Sequence, residues 1–191
     1  MQQLTQNIYK ITNDCNVYFL DFAKKIIIDT GRPTTAAFVA KELSPKINPK
    51  KIDIVIFTHF HYDHIGNFSL FPKAVFYASQ AEIDACRKDP FGAILNEEVV
   101  EKFSAKVLSI EKIEQSILAS LGLEVIATPG HTAGSICIYY PAEKILFSGD
   151  TLFAHSYGRV DLPTSVPKEI MRSLLRLKKV DYKILCSGHD Y

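Results

Sequence analysis

The sequence lacks a long hydrophobic run. No apolar stretch approaches the roughly 20 residues that a membrane-spanning helix needs. The first ten residues also lack the basic region and the continuous apolar region of a secretory signal. These absences predict a cytoplasmic chain that does not associate with a membrane.

An excess of charge of one sign is missing as well. The formal net charge is +1, and the lysines and arginines are scattered along the chain, so a nucleic-acid substrate is not favoured. The cysteines lie far apart without a C-x-x-C pair, which indicates neither a cysteine zinc site nor a disulfide framework. We expect reduced and mostly buried thiols.

The overall composition is that of an ordinary globular protein. With 191 residues, 47% of them hydrophobic and 23% charged, the chain can bury a substantial core. It contains no internal repeat, low-complexity tract or long linker. We therefore predict a single domain over residues 1–191.

Strand and helix patterns occur in two blocks. The first block has predicted strands at 8–11, 15–20, 25–28, 52–57 and 74–77 and helices at 34–43, 79–87 and 96–103. The second has strands at 106–110, 124–128, 135–140, 144–148 and 183–186 and a helix at 167–178. Ser79, with Glu82 three residues later, predicts a capping box. Two sheet blocks with helices predict an α/β (α+β) fold, a four-layer αβ/βα sandwich with the two sheets face to face.

A histidine-rich motif directly follows the nearly all-apolar strand at 52–57. His59, His61, Asp63 and His64 form the pattern H-x-H-x-D-H. In extended backbone, residues two apart point the same way, so His59 and His61 can converge on one metal ion. Asp63 and His64 can turn beyond them toward a second ion. The spacing differs from the helical H-E-x-x-H motif of metalloproteases.

Further candidate ligands follow other predicted strands, each after a turn that contains glycine. His131 lies in T-P-G-H-T, Asp150 in S-G-D-T and His189 in S-G-H-D. One such histidine alone would more often be a surface residue, but the repeated placement favours metal ligation. Asp29, which ends the strand at 25–28, is either a partner that holds a ligand histidine or a turn carboxylate.

These motifs, together with G-D-T-L-F after Ser148, resemble the metallo-β-lactamase superfamily over nearly the whole chain. The resemblance implies the αβ/βα sandwich of that family and two metal ions. One ion would be held by His59, His61 and His131. The other would be held by Asp63, His64 and His189, with Asp150 bridging both ions. Asp63 and Asp150 are then also the candidate catalytic residues.

Within the superfamily, the segments around Gly149–Phe153, Gly158-Arg159 and 188–191 are similar to the glyoxalase II group, the hydroxyacylglutathione hydrolases, and to its small microbial relatives. This similarity implies that Arg159 and Tyr191 bind the glutathione part of a thioester. A salt bridge with Asp161 is the alternative role of Arg159. Glyoxalase II proper continues into a helical domain that completes the glutathione site. The similarity therefore does not decide which thiol carries the acyl group of the substrate.

The predicted chemistry follows from such a centre. Ions held by imidazole and carboxylate lower the pKa of bound water from 15.7 to about 7, which provides hydroxide as the nucleophile. A thiolate leaves without a protein acid, because a thiol has a pKa of about 8.5. We therefore predict hydrolysis of a small thioester or ester with two divalent ions. The donor set suits zinc, and iron or manganese remain open.

Other functions are weighed against this one. A persulfide dioxygenase with one iron, held by two histidines and an aspartate, is the main alternative, and a lactone or other ester hydrolase is another. A β-lactamase is disfavoured because the chain shows no export signal, and a flavodiiron protein because that group has glutamate where this chain has His61. Nucleases of this family usually carry a large inserted domain. An intact ligand set argues against a purely binding module. His155 is expected at the surface or the pocket rim.

Overall fold

The computed structural model describes residues 1–190 and contains two β-sheets. The strands of the first sheet lie side by side in chain order. They are β1 (Gln2–Gln3), β2 (Ile8–Ile11), β3 (Val17–Asp21), β4 (Lys25–Ile28), β5 (Ile54–Ile56), β6 (Val75–Ala78) and β7 (Val107–Ser109). The second sheet has the order β11-β10-β9-β8, formed by β8 (Glu124–Ala127), β9 (Ile136–Tyr140), β10 (Ile145–Gly149) and β11 (Ile184–Ser187).

The strand directions decide which strand ends meet. β1 to β4 form an antiparallel meander, and β4 to β7 are parallel to one another. In the second sheet β9 is antiparallel to both of its neighbours, while β11 runs parallel to β10. The carboxyl ends of β8, β10 and β11 therefore share one edge of the second sheet, as those of β4 to β7 do in the first.

Helices cover the outer faces of both sheets. They are α1 (Ala36–Leu43), α2 (Tyr62–Ile65), α3 (Gln80–Lys88), α4 (Pro90–Ile94), α5 (Glu97–Lys102) and α6 (Pro167–Leu177). Leu43, Ile83 and Val99 from three of them pack with Phe57 on one face of the first sheet. Leu177 of α6 packs against Leu146 on the outer face of the second sheet. The predicted four-layer αβ/βα sandwich is confirmed.

Strand β5 is buried on both of its faces. Ile54 and Ile56 point into the core between the two sheets, with Phe147 of β10. Val55 and Phe57 point to the helical layer. Since successive side chains of a strand face opposite sides, a strand buried on both faces is apolar throughout.

Several features differ from the sequence-based expectation. The strand near 106–110 pairs with β6 and so completes the first sheet, although its position in the chain groups it with later strands. The short helices α2 and α4 were not predicted. For α4 the signal is present, because Asp89 accepts a hydrogen bond from the Gly92 N–H at 2.9 Å and Pro90 is the first helical residue.

Over the described residues 1–190, no helix combines the length and the apolar character needed to cross a bilayer.

Candidate metal centre

Ligand-type side chains meet where the carboxyl ends of strands from both sheets come together. The loop after β5 carries the H-x-H-x-D-H motif, and the segments after β8, β10 and β11 carry His131, Asp150 and His189. The side chains form overlapping groups whose ligand atoms lie within 4.8 Å of one another. The structure thus brings together all the residues proposed as ligands: His59, His61, Asp63, His64, His131, Asp150 and His189.

The first group, called here the three-histidine cluster, consists of His59, His61 and His131. Nδ1 of His61 lies 3.0 Å from Nε2 of His59 and 3.0 Å from Nε2 of His131, and the two Nε2 atoms are 3.3 Å apart. A point about 2 Å from all three nitrogens exists, which is the usual Zn–N distance. The three atoms are therefore spaced as the ligands of one ion.

Hydrogen bonds fix which ring nitrogens carry hydrogen. Nδ1 of His131 donates to the Arg159 carbonyl at 2.8 Å, so its Nε2 lone pair faces the cluster. Thr58 Oγ1 donates to Asp29 at 2.7 Å and can thus accept from Nδ1 of His59, 3.1 Å away. Nε2 of His61 has no hydrogen-bond partner within residues 1–190.

These histidines are kept neutral. Burial, assisted by the neighbouring histidines, lowers the pKa of His61 to about 3 and holds the pKa of His59 well below its ordinary value. Burial also lowers the pKa of His131. Neutral imidazoles with converging lone pairs are the form in which histidine binds a metal ion.

The second group, called here the Asp63 cluster, consists of Asp63, His64 and His189. Nε2 of His189 lies 3.4 Å from Asp63 Oδ2. Burial opposes protonation of His189, but hydrogen bonds to Asp150 and Asp63 outweigh it and raise its pKa to about 10. The two clusters thus differ in their donors, since the first consists of imidazole rings alone and the second contains a carboxylate.

Asp150 lies between the two clusters. Its Oδ2 is 3.6 Å from Nε2 of His131 and 3.5 Å from Nε2 of His189, and its Oδ1 is 3.3 Å from Nε2 of His64. Burial opposes its ionisation, but His64 and His189 outweigh this effect and hold the pKa of Asp150 well below its ordinary value. An ionised carboxylate in this place is positioned to bridge two ions.

Two glycines allow this close approach. Gly149 has a φ of +49°, and a Cβ on it would lie 2.6 Å from Thr58 Oγ1. A Cβ on Gly188 would lie 2.2 Å from Asp150 Oδ1. Side chains at these positions would separate the ends of β10 and β11 from the ligands beside them.

Asp29 holds His64 of the Asp63 cluster in place. Its Oδ2 accepts hydrogen bonds from Nδ1 of His64 at 2.8 Å and from Thr58 Oγ1, and its Oδ1 accepts from the Thr58 N–H at 2.8 Å. Nε2 of His64 therefore faces the site. Of the two roles that the sequence left open for Asp29, the structure supports that of a partner holding a ligand histidine.

We expect Asp29→Asn to weaken metal binding by about 10–100-fold, as is usual when a partner of a ligand is lost. An amide has only one accepting oxygen, so a donor from Thr58 or His64 would lose its acceptor. Asparagine tolerates the φ of +55° at this position as well as aspartate does. Metal titration of the apoprotein measures the effect.

Asp53→Asn is the matched control, because Asp53 accepts the Lys25 N–H at 2.8 Å at the opposite ends of β4 and β5. Equal affinities in both variants would contradict the role given to Asp29.

A cleft of about 370 Å³ opens above the ligands. Its wall is largely apolar, with Leu95, Phe153, Tyr157 and Leu162. Arg159 also lines it, but its guanidinium makes two hydrogen bonds of 2.9 Å to Asp161, and the side chains are 66% and 68% exposed. Binding of a substrate by Arg159 stays a prediction.

His155 is exposed and is not part of the cleft wall, in keeping with its expected surface position. Tyr191 lies outside the described residues.

Two buried residues at the centre were missed from the sequence. Sγ of Cys15 lies 3.4 Å from Nδ1 of His64, and burial raises the pKa of this thiol to about 12. Glu82 is fully buried, and burial raises its pKa. No local pattern marks Cys15, and the pattern at Ser79 and Glu82 indicates only a helix cap, because both residues reach the site through tertiary packing.

The predicted capping box at Ser79 is only half right. Ser79 Oγ accepts the Glu82 N–H at 3.1 Å, as in an N-cap. The Glu82 carboxylate does not return to Ser79, but accepts from the Phe60 N–H, the Thr132 hydroxyl and the Gly134 N–H. Three buried donors on other loops outcompete the helix terminus for this acceptor.

Comparison with known proteins agrees with the fold. Residues 12–189 match the family model described as the metallo-beta-lactamase superfamily. The chain is 34% identical over 176 residues to "Probable metallo-hydrolase MJ0888" of Methanocaldococcus jannaschii, covering 86% of this chain and 80% of that protein. It is 31% identical over 174 residues to the hydroxyacylglutathione hydrolase of Bartonella tribocorum, covering 87% of this chain but 62% of that protein.

Among solved structures, the crystal structure of TTHA1623 in a di-iron-bound form superposes with a TM-score of 0.73 and 25% sequence identity. The match covers 96% of this chain and 92% of TTHA1623.

Proposed function

The chain belongs to the metallo-β-lactamase superfamily of metal-dependent hydrolases, and we propose that it hydrolyses a small thioester at a centre of two divalent metal ions. One observation carries the proposal. Two buried clusters of ligand atoms share the carboxylate of Asp150 at the bottom of a cleft that is open to a small molecule.

The residues fit two ions. We propose that the three-histidine cluster holds one ion, that the Asp63 cluster holds the other, and that Asp150 contacts both. Nitrogen and carboxylate donors without a thiolate suit zinc, and they also suit iron or manganese. The di-iron form of TTHA1623 supports iron as an alternative to zinc. Such ions, when bound, supply Lewis acidity and lower the pKa of a coordinated water to about 7.

Asp63 and Asp150 would act as the catalytic carboxylates. Both line the cleft, and although burial opposes their ionisation, interactions with His64 and His189 hold the pKa of each below its ordinary value. Asp63 would accept a hydrogen bond from the water molecule that attacks the substrate carbonyl. Asp150 keeps the two clusters at a fixed separation. The thiolate product needs no protein acid to leave.

The substrate class rests on similarity and on the cleft. Some relatives at about 30% identity are named hydroxyacylglutathione hydrolase, and a cleft of about 370 Å³ suits a small molecule. Because the chain spans less than two thirds of those relatives, the thiol carrier is a further proposal. We propose that Arg159 and Tyr191 bind its carboxylates, and that neither nucleic acid nor a membrane takes part in this cytoplasmic reaction.

The test is turnover of S-lactoylglutathione beside other thioesters, a lactone and a phosphodiester, on protein of measured metal content. We expect thioester hydrolysis and about two ions per chain. Removing the ions with a chelator should abolish the activity, and adding zinc back should restore it, since the proposed chemistry needs the ions.

Chelated protein restored with magnesium is the control, because this ion prefers an all-oxygen donor set. Hydrolysis of the lactone alone would contradict the substrate class. One iron per chain with oxygen uptake on a persulfide would favour the dioxygenase over the hydrolase.

A further inference from the structure

Glu82 is a fully buried carboxylate near the metal centre that lies outside the candidate ligand groups. It lies in the first turn of α3, outside both ligand clusters. Burying an ionisable group is costly unless its atoms are hydrogen-bonded, so its partners need an explanation. They are found on the two loops that carry the three-histidine cluster.

One oxygen contacts the first of these loops. Oε1 accepts a hydrogen bond from the Phe60 N–H at 2.9 Å. Phe60 is the residue between His59 and His61, so this bond holds the peptide between two members of the cluster.

The other oxygen contacts the second loop. Oε2 accepts from Thr132 Oγ1 at 2.8 Å and from the Gly134 N–H at 3.1 Å. Thr132 directly follows His131, the third member of the cluster. The same carboxylate therefore ties a loop of the first sheet to a loop of the second sheet, and it does so beside all the members of the three-histidine cluster.

The helix that carries Glu82 is itself held against the second loop. Ser79 Oγ donates to the Gly134 carbonyl at 2.6 Å. A Cβ on Gly134 would lie 2.2 Å from the Glu82 nitrogen, so the backbone of α3 and this loop are in direct contact. The position of the carboxylate is thus fixed by packing as well as by its own hydrogen bonds.

The partners require an acceptor on both oxygens. The two N–H groups can only donate, one to each oxygen. A glutamine side chain would offer one accepting oxygen and one donating NH₂ group, so one N–H would face a donor in either orientation. The site therefore discriminates glutamate from its nearly isosteric amide.

We propose that Glu82 is a positioning residue that sets the distance between His131 and the His59/His61 loop, and thereby the metal affinity of the three-histidine cluster. The proposal rests on the proposed two-metal centre. It implies a selective effect, because the described contacts of the carboxylate lie beside this cluster and not on the Asp63 cluster.

The test compares metal binding by wild-type, Glu82→Gln and a matched control. Apoprotein is titrated with Co²⁺, whose absorption bands are assigned to the clusters with the ligand variants His61→Ala and Asp63→Ala. We expect Glu82→Gln to weaken Co²⁺ binding at the three-histidine cluster by about 10–100-fold, with binding at the Asp63 cluster unchanged within about twofold. The Co²⁺ absorption bands of the three-histidine cluster should also shift in Glu82→Gln. A merely destabilised fold does not shift these bands.

Glu111→Gln is the control, because Glu111 accepts the Gln80 N–H of the same helix at 3.1 Å without a described contact to the ligand loops. Should Glu82→Gln fail to fold, Thr132→Val removes one donor to Oε2 and is expected to shift affinity at the same cluster in the same direction.

The outcomes separate this inference from the function it rests on. If the wild-type chain binds two ions and Glu82→Gln weakens binding equally at both clusters, or at neither, the role of Glu82 is overturned and the two-metal centre is not. A wild-type chain that does not bind two ions would overturn the two-metal centre, and this inference with it.

Discussion

Replacing the shared carboxylate, Asp150→Asn, is expected to lower kcat/KM for the thioester by at least about 1,000-fold, equal to about 4 kcal/mol of transition-state stabilisation. An asparagine keeps the size of the side chain but offers one accepting oxygen and an NH₂ group. It cannot contact His64, His131 and His189 as an anion does, and these are the neighbours of Asp150 in the structure. Steady-state kinetics with metal analysis measure the loss.

Asp181→Asn is the matched control. Asp181 is an exposed carboxylate that pairs with Lys144 at the opposite ends of β10 and β11, so its loss should leave kcat/KM unchanged. Near-normal turnover by Asp150→Asn, with two ions still bound, would contradict the bridging role.

The second large effect is expected on stability. Phe147 of β10 is fully buried between the two sheets, where its ring meets that of Tyr18 edge-on with centroids 5.2 Å apart. Phe147→Ala removes this contact and leaves a cavity, which costs about 3–5 kcal/mol of unfolding free energy. For a chain of this length we expect Tm to fall by about 10 °C.

Urea unfolding of the metal-free protein measures this change without a contribution from bound ions. Leu175→Ala on α6 is the control, because Leu175 is 58% exposed, and its truncation should change the unfolding free energy by less than about 0.5 kcal/mol. A loss of the same size in both variants would mean that the space between the sheets is not a packed core.

Much of the fold could be predicted because its signals are local. Alternating or wholly apolar runs mark the strands, and the all-apolar β5 also indicates cover on both faces. The pairing of β7 with β6 could not be read in this way, since it depends on a parallel register set by the intervening helices. The helix α2 has only four residues, too few for a period to be visible.

The candidate ligands were predictable for a related reason. Each follows a strand and, outside the H-x-H-x-D-H motif, a turn with glycine, so sequence position alone indicates the edge at which they lie. The groups that orient them were harder to find. Cys15 and Glu82 reach the site from distant parts of the chain. The spacing of Ser79 and Glu82 indicates a local helix cap, whereas the Glu82 carboxylate accepts hydrogen bonds from other loops.

The division of ligands between the two sheets has a consequence for the lifetime of the protein. Each cluster takes side chains from both sheets, so a bound ion would cross-link them at one edge, and an ion at 100 times its Kd would add about 2.7 kcal/mol of stability. The metal-free protein would then open first between the two sheets at this edge, and it would be degraded sooner. At a given rate of synthesis, the amount of this protein in a cell would therefore rise and fall with the supply of metal.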